Sequence, residues 1–222
     1  MAYKYIIGID EVGRGALAGP LCVGACMVRW KNAKIFSKTL SGIKDSKQLA
    51  PLNRAEWFRI ITEAGIAKRC EWSTVLVHEK IIDRNGLSFA LKKAIRKVLQ
   101  NFHVGPKVCT VLLDGGIKAP RTFLFQRTII KGDEKVPLIA AASIVAKVKR
   151  DLYMIRLAKR HPEYGFDSHK GYGTRAHYAA LREHGISKVH RRSFLKRFQA
   201  PSAKLQTNPK LQIQTSRQKL SV

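Results

Sequence analysis

Acidic residues are scarce in this chain. Asp and Glu number 15 against 42 Lys and Arg, a formal charge of +27 on 222 residues. A charge that large repels itself and attracts polyanions. A solvated basic surface is the plain reading, and an anionic membrane surface is a weaker one. No single helix pairs a basic face with a broad Trp/Phe/Leu face. Nucleic acid fits best, because Lys and Arg neutralise phosphates. Long apolar runs are also missing. The longest, Leu138 to Ala146, falls far short of the roughly 20 residues a membrane helix needs. The opening MAYKYIIGIDEVGRG has no basic stretch followed by a long apolar one. No secretory signal is expected, and a cytoplasmic location is. Cysteine is limited to Cys22, Cys26, Cys70 and Cys109, with no CxxC pair. That spacing argues against a zinc ribbon or finger. Buried free thiols in a reducing compartment are expected.

What is present suits a folded domain. Apolar residues make up 45%, too many for global disorder. A chain of this size buries roughly 70% of its unfolded surface. Strands are predicted over 3–10, 21–28, 66–76, 108–113 and 121–130. Helices are predicted over 51–64, 77–85, 88–99, 137–160 and 175–184, with a basic turn or two at 193–198. Ser88 is the predicted cap of the fourth strand's preceding helix, which places Ala90, Leu91, Ala94, Ile95 and Val98 inward. The helix from Pro137 begins LIAAASIVA, apolar all round, so that end must be buried. Strands first and helices later indicate an α/β domain with a helical C-terminal part. Residues 199–222 contain no acid and no aromatic, and carry four positive charges. They read as a disordered basic tail.

With so few acids, their placement is informative. Most sit on predicted helix surfaces near Lys or Arg, among them Glu56, Glu63, Glu79, Asp83 and Glu183. Four do not. Asp10 ends the apolar run IIGI and Glu11 follows it. Asp114 ends the run VLL. Asp133 lies between a predicted strand and the buried helix. Carboxylates that converge at one rim of a sheet raise one another's pKa unless a cation neutralises them. Oxygen ligands without His or Cys favour Mg²⁺ or Mn²⁺. Neighbouring strand residues point to opposite faces, so Asp10 and Glu11 can share one site only if the strand ends or bulges at Asp10. A lone strand-end Asp is more often a turn former. Composition and spacing therefore leave a metal nuclease and a set of unrelated turn formers both open.

The motifs narrow this. GIDEVGRGALAGP resembles the opening of ribonuclease HII, the type 2 ribonuclease H family. The same holds, in order, for DSKQL (45–49), LLDG (112–115), KGDEKVPLIAAASIVAKVKRD (131–151), HPEYGFDSHKGYGT (161–174) and HRRSF (190–194). The resemblance covers about residues 5 to 196. It implies a ribonuclease H-like mixed β-sheet flanked by helices, with a helical C-terminal segment. Residues 1–198 would form the catalytic domain, its helical part beginning near 161. It implies cutting of RNA in RNA–DNA hybrids and 5′ to single ribonucleotides embedded in duplex DNA. Asp10, Glu11, Asp114 and Asp133 would be the catalytic and metal-site acids, holding two Mn²⁺ or Mg²⁺ ions. The loop Gly13-Arg14-Gly15 would approach a ribose, and Tyr172 would stack on the next sugar. Lys47 would contact phosphate near the cut. His169 and Lys170, beside the GYGT loop, and the basic pair Arg191 and Arg192 are candidate contacts to the backbone. Asp151 and Lys147, one helical turn apart, suit an ion pair.

The resemblance implies as partners an RNA–DNA hybrid and ribonucleotide-containing duplex DNA; no membrane partner is expected, and a monomer is the default state. Three rival readings stand beside it. One is a type 3 ribonuclease H acting on hybrids only. Another is a hybrid-binding protein without catalysis. The last is a basic assembly protein.

Overall fold

The structure, a computed structural model, describes residues 3–43 and 50–199. Its strands are β1 (Tyr5–Val12), β2 (Leu21–Arg29), β3 (Glu71–Val77), β4 (Cys109–Asp114) and β5 (Phe125–Ile129). They form one sheet in the order β3-β2-β1-β4-β5. β1, β2 and β3 pair antiparallel, whereas β4 and β5 run parallel to β1. The helices are α1 (Ala33–Thr39), α2 (Pro51–Ile66), α3 (Glu79–Asn85), α4 (Leu87–Gln100), α5 (Gly132–Lys135), α6 (Pro137–Arg160), α7 (Phe166–His169), α8 (Arg175–His184) and α9 (Lys196–Gln199). This is the α/β mixed sheet with flanking helices that the sequence indicated. Among the described residues, no helix is long and apolar enough to cross a membrane.

Each face of the sheet carries its own core. Ile7, Ile9, Val111 and Leu113 meet Ala90, Leu91, Ala94, Ile95 and Val98 of α4. All five inward residues predicted for α4 are buried. On the other face, Cys26 and Val28 meet Leu138, Ala141, Ala142 and Val145 of α6. Here helix backbone lies almost against sheet backbone. A Cβ on Gly8 would lie 2.5 Å from the Leu138 carbonyl oxygen, and one on Gly24 would collide with that of Ala142. Small residues on both partners let α6 settle this closely, which brings Ser143 beside β1. A third cluster joins Leu17 and Ala18, after β1, to Met154, Leu157, Tyr164, Phe166, Leu181 and Leu195. The C-terminal helical segment thus packs against the loop that leaves β1.

Three local expectations change. The strand predicted from residue 66 begins only at Glu71. α2 runs to Ile66, and the N–H groups of Arg69 and Cys70 donate back to the Ala64 carbonyl. The strand predicted over 121–130 shortens to Phe125–Ile129, because Gln126 closes the preceding loop. Its side chain accepts from Ala119 N–H at 2.8 Å and donates to Phe123 O at 3.0 Å. Ser88 caps nothing: α4 starts at Leu87 after Gly86, with no side-chain cap. All four cysteines are free and buried, as expected. Burial pushes the Cys22 thiol up to about 12.

Candidate active site

β1 and β4 are parallel neighbours, so their C-terminal ends share one rim. Binding sites of α/β sheets form at such rims. Asp10 near the end of β1, Asp114 at the end of β4 and Asp133 in α5 each offer a carboxylate oxygen there. These three oxygens lie within 4.8 Å of one another. Local backbone donors aim two of the side chains. Gly132 N–H donates to Asp114 Oδ1 at 2.7 Å, and Glu11 N–H donates to Asp10 Oδ1 at 2.7 Å. Asp10 is 1% exposed. Burial pushes its carboxyl from 3.8 up to about 7; the Ser143 hydroxyl opposes this, and the charges of Glu11 and Asp114 add to it.

Glu11 stands outside that trio. The ladder with β2 runs unbroken through Asp10↔Gly24, Glu11↔Val23 and Val12↔Cys22. The strand neither ends nor bulges at Asp10, contrary to the condition set by the sequence. Glu11 instead meets Arg14, with Oε1 3.4 Å from Nη1.

Beyond β1 the chain turns at Gly13, whose φ is +82°. A side chain there would be doubly disfavoured, since its Cβ would also collide with Arg150 Nε. Gly13 N–H donates to the Tyr172 hydroxyl at 3.1 Å. Arg14 and Gly15 are exposed beside it. Tyr172 is half-buried in a loop, with the Arg150 guanidinium 5.3 Å from its ring centre. Its carbonyl accepts from His177 Nδ1 at 2.9 Å. Thus the loop and tyrosine singled out 159 residues apart in sequence are in contact.

Other candidates fall differently. Arg191, expected on the duplex backbone, is fully buried. Its Nε and Nη1 donate to the carbonyls of Gly19 at 3.0 Å and Arg14 at 2.9 Å, so its guanidinium is an internal brace. His169 is likewise committed. Nε2 donates to Tyr164 O at 2.7 Å, and Nδ1 accepts from Gly171 N–H at 3.2 Å. Neither ring nitrogen is left for a phosphate. Lys170 adopts φ +52° and its ammonium donates back to Asp167 O. Arg192 is exposed, while its backbone N–H donates to Asp83 at 2.9 Å. Lys47 and the rest of DSKQL lie outside the described residues, as does the tail from residue 200. Lys147 and Asp151 form the expected ion pair at 2.9 Å.

Some residues escaped the sequence reading. Arg150 shares a buried helical stripe with Ala146 and Met154. A charge at that spacing among apolar residues was the available signal. Asp83 looked like a surface acid. It accepts from the N–H groups of Arg192 and Ser193 and from the Ser193 hydroxyl, anchoring the C-terminal segment to α3. The buried pair His177 and His190 carried no sequence pattern at all.

A mixed sheet of this topology, with clustered carboxylates at the rim of two parallel strands, defines a nuclease of the ribonuclease H-like fold. The Ribonuclease HII family matches residues 7–197. A ribonuclease HII from Caldicellulosiruptor bescii is 40% identical over 87% of this chain and 88% of its own. One from Chlamydia caviae is 44% identical, over 86% of this chain and 84% of its own. The solved PCNA:RNase HII complex from Archaeoglobus fulgidus aligns with a TM-score of 0.66 at 25% identity. It covers 84% of this chain and 93% of that one. The chain belongs to the ribonuclease HII family. It is a hydrolase with ribonuclease H activity, dependent on divalent metal.

Proposed function

We propose that the protein cuts the RNA strand of RNA–DNA hybrids and also cuts 5′ to a single ribonucleotide embedded in duplex DNA. The observation that carries this reading is the carboxylate trio standing at the same rim as the Gly13–Tyr172 contact. One element set supplies the chemistry and the other reads the sugar.

The donor set fits a hard divalent cation. It is all oxygen, anionic and crowded, and its most buried member resists ionising without a counter-charge. Asp10, Asp114 and Asp133 would hold the ions, with Glu11 supplying a fourth carboxylate whose charge already acts on Asp10. Held by these carboxylates, two such ions would supply activation of the attacking water and charge stabilisation at the departing 3′ oxygen. Mn²⁺ and Mg²⁺ both suit these ligands. Gly132 N–H and Glu11 N–H keep the Asp114 and Asp10 carboxylates aimed at the rim. Neither side chain must then reorganise during the reaction. Attack on phosphorus breaks the P–O3′ bond. The ribonucleotide side keeps a 5′-phosphate and the upstream strand ends in a 3′-hydroxyl.

The exposed backbone of Arg14 and Gly15 lets a ribose approach, where its 2′-hydroxyl can be read as donor and acceptor. Tyr172, joined to this loop through Gly13 N–H, would stack on the following deoxyribose. Exposed Arg14 and Arg192 and half-buried Lys170, with Lys47, would neutralise phosphates. Residues 1–198 act as one monomeric catalytic unit, in the cytoplasm, with the tail adding basic charge.

The test is an end-labelled DNA duplex carrying one ribonucleotide, incubated with Mg²⁺, Mn²⁺ or EDTA. Metal-dependent cutting immediately 5′ to the ribonucleotide is expected. Cutting only of a long hybrid would mark a type 3 enzyme. Binding without cutting on either substrate would overturn the catalytic reading.

A further inference from the structure

Two guanidinium groups lie deep in the protein without a carboxylate. Arg150 and Arg191 are both 0% exposed. Neither forms an ion pair among the described residues, and the Asp151 carboxylate is taken by Lys147 at 2.9 Å and Arg54 at 3.8 Å. Desolvating an unpaired cation costs several kcal/mol. Burial holds the Arg191 guanidinium down to about 10, and the charge of Arg150 adds to this. Such an arrangement needs something to hold.

What they hold is one loop. Arg150 donates from Nε to Pro20 O at 2.9 Å and from Nη2 to Ala18 O at 3.4 Å. Arg191 donates to Gly19 O at 3.0 Å and Arg14 O at 2.9 Å. Apart from a single bridge between Ala18 and His190, this segment has no strand or helix to satisfy its carbonyls. Arg150 also fills the space beside Gly13 and lies against the Tyr172 ring. Two planar forks, from α6 and from the C-terminal segment, thereby brace four carbonyls and one aromatic ring. A lysine ammonium lacks the fork that spans two separate carbonyls.

We propose that Arg150 and Arg191 are positioning residues for ribose selection, setting Gly13-Arg14-Gly15 and Tyr172 in their reading geometry before substrate arrives and touching no substrate themselves. This rests on the reading above, that the loop and Tyr172 recognise a ribose-to-deoxyribose junction.

The test compares wild type with Arg191→Lys and Arg150→Lys. kcat/KM is measured on a duplex with one ribonucleotide and on a long RNA–DNA hybrid, with the salt dependence of hybrid binding alongside. Each variant should lose about tenfold or more on the single ribonucleotide relative to the hybrid. The salt slope should stay unchanged. Equal proportional losses on both substrates would mean a merely structural role and overturn the inference. A slope shallower by about one unit for either variant would make that residue a phosphate contact and overturn it too. Amide hydrogen exchange on wild-type protein keeps the inference testable if the variants fold poorly. The N–H groups of Gly13, Leu17 and Gly19 donate to Tyr172, Gly171 and Val189. They should be protected without substrate, and protection gained only with bound hybrid would refute preorganisation. Wild-type protein that never cuts at the single ribonucleotide would bring down the underlying reading, and this inference with it. An unchanged ratio in folded variants of a wild type that does cut would bring down this inference alone.

Discussion

The Nε2 atoms of His177 and His190 lie 3.1 Å apart in the interior. One must donate and the other accept. Their outer partners assign the roles. The Tyr172 carbonyl can only accept, so His177 Nδ1 carries the proton and its Nε2 accepts. His190 Nδ1 receives Ser187 N–H at 3.1 Å, so His190 Nε2 donates. Both rings are neutral, and together they tie Ser187 to the Tyr172 loop.

This relay sets a pH dependence of stability. Burial holds His190 down at about 4, with the His177 charge adding to the effect, while burial lowers His177 as well. Between about pH 6.5 and 4 the unfolded chain therefore binds more protons than the folded one. Stability should fall as pH drops through that window. Urea unfolding of wild type and His190→Gln checks it: the variant should show a flatter profile between pH 7 and 4.5.

Asp10 has the opposite sign. Its folded pKa of about 7 lies above the ordinary 3.8. The metal-free protein should lose stability as pH rises from about 4 through 7, because ionising the buried carboxyl is unfavourable. Divalent ions remove that penalty. Mg²⁺ or Mn²⁺ should raise Tm more at pH 8 than at pH 5.5. Asp10→Asn should raise the metal-free Tm at pH 8 by about 2–4 °C or more. Differential scanning calorimetry at both pH values reads each effect.

Asp114→Asn should keep the fold. The amide oxygen can still accept from Gly132 N–H, which in the wild type donates to Asp114 Oδ1 at 2.7 Å. Cutting should drop by about a thousandfold or more, as expected when preorganised charge at the reacting centre is lost. Hybrid affinity should change little. Fluorescence anisotropy with a labelled hybrid, beside single-turnover cutting, separates the two.

Tyr172→Ala removes both the ring over Arg150 and the acceptor for Gly13 N–H. Cutting at a single ribonucleotide should fall more than cutting within a long hybrid, by about tenfold or more. Tyr172→Phe keeps the ring and loses only the acceptor, so its loss should be smaller. Steady-state assays of both variants on both substrates give the ratio.

The sheet was legible where strands are strongly apolar. IIGI, LCVGACMV and VLL needed no context, and the α4 stripe from Ala90 to Val98 follows from helical spacing alone. Asp10, Asp114 and Asp133 stood out because acids are rare here and these three end or follow apolar runs. The pairing of Glu11 with Arg14 was not legible, nor was the regularity of β1 in its ladder with β2 through Val12. Nor was the burial of Arg191. HRRSF reads as a basic surface cluster, but docking of the C-terminal segment against the loop after β1 encloses its first arginine and leaves the second exposed. Tertiary contacts over more than 170 residues decided that outcome. His169 failed for a local reason: the tight turn around Gly165 and Gly171 folds its ring onto neighbouring backbone groups.

The most direct test of the central claim is Mn²⁺ binding followed by electron paramagnetic resonance, on wild type and on Asp10→Asn, Asp114→Asn and Asp133→Asn. Each single change should weaken Mn²⁺ binding and abolish cutting while the protein stays folded. Mn²⁺ affinity unchanged in all three variants would contradict the assignment of these carboxylates as the metal site.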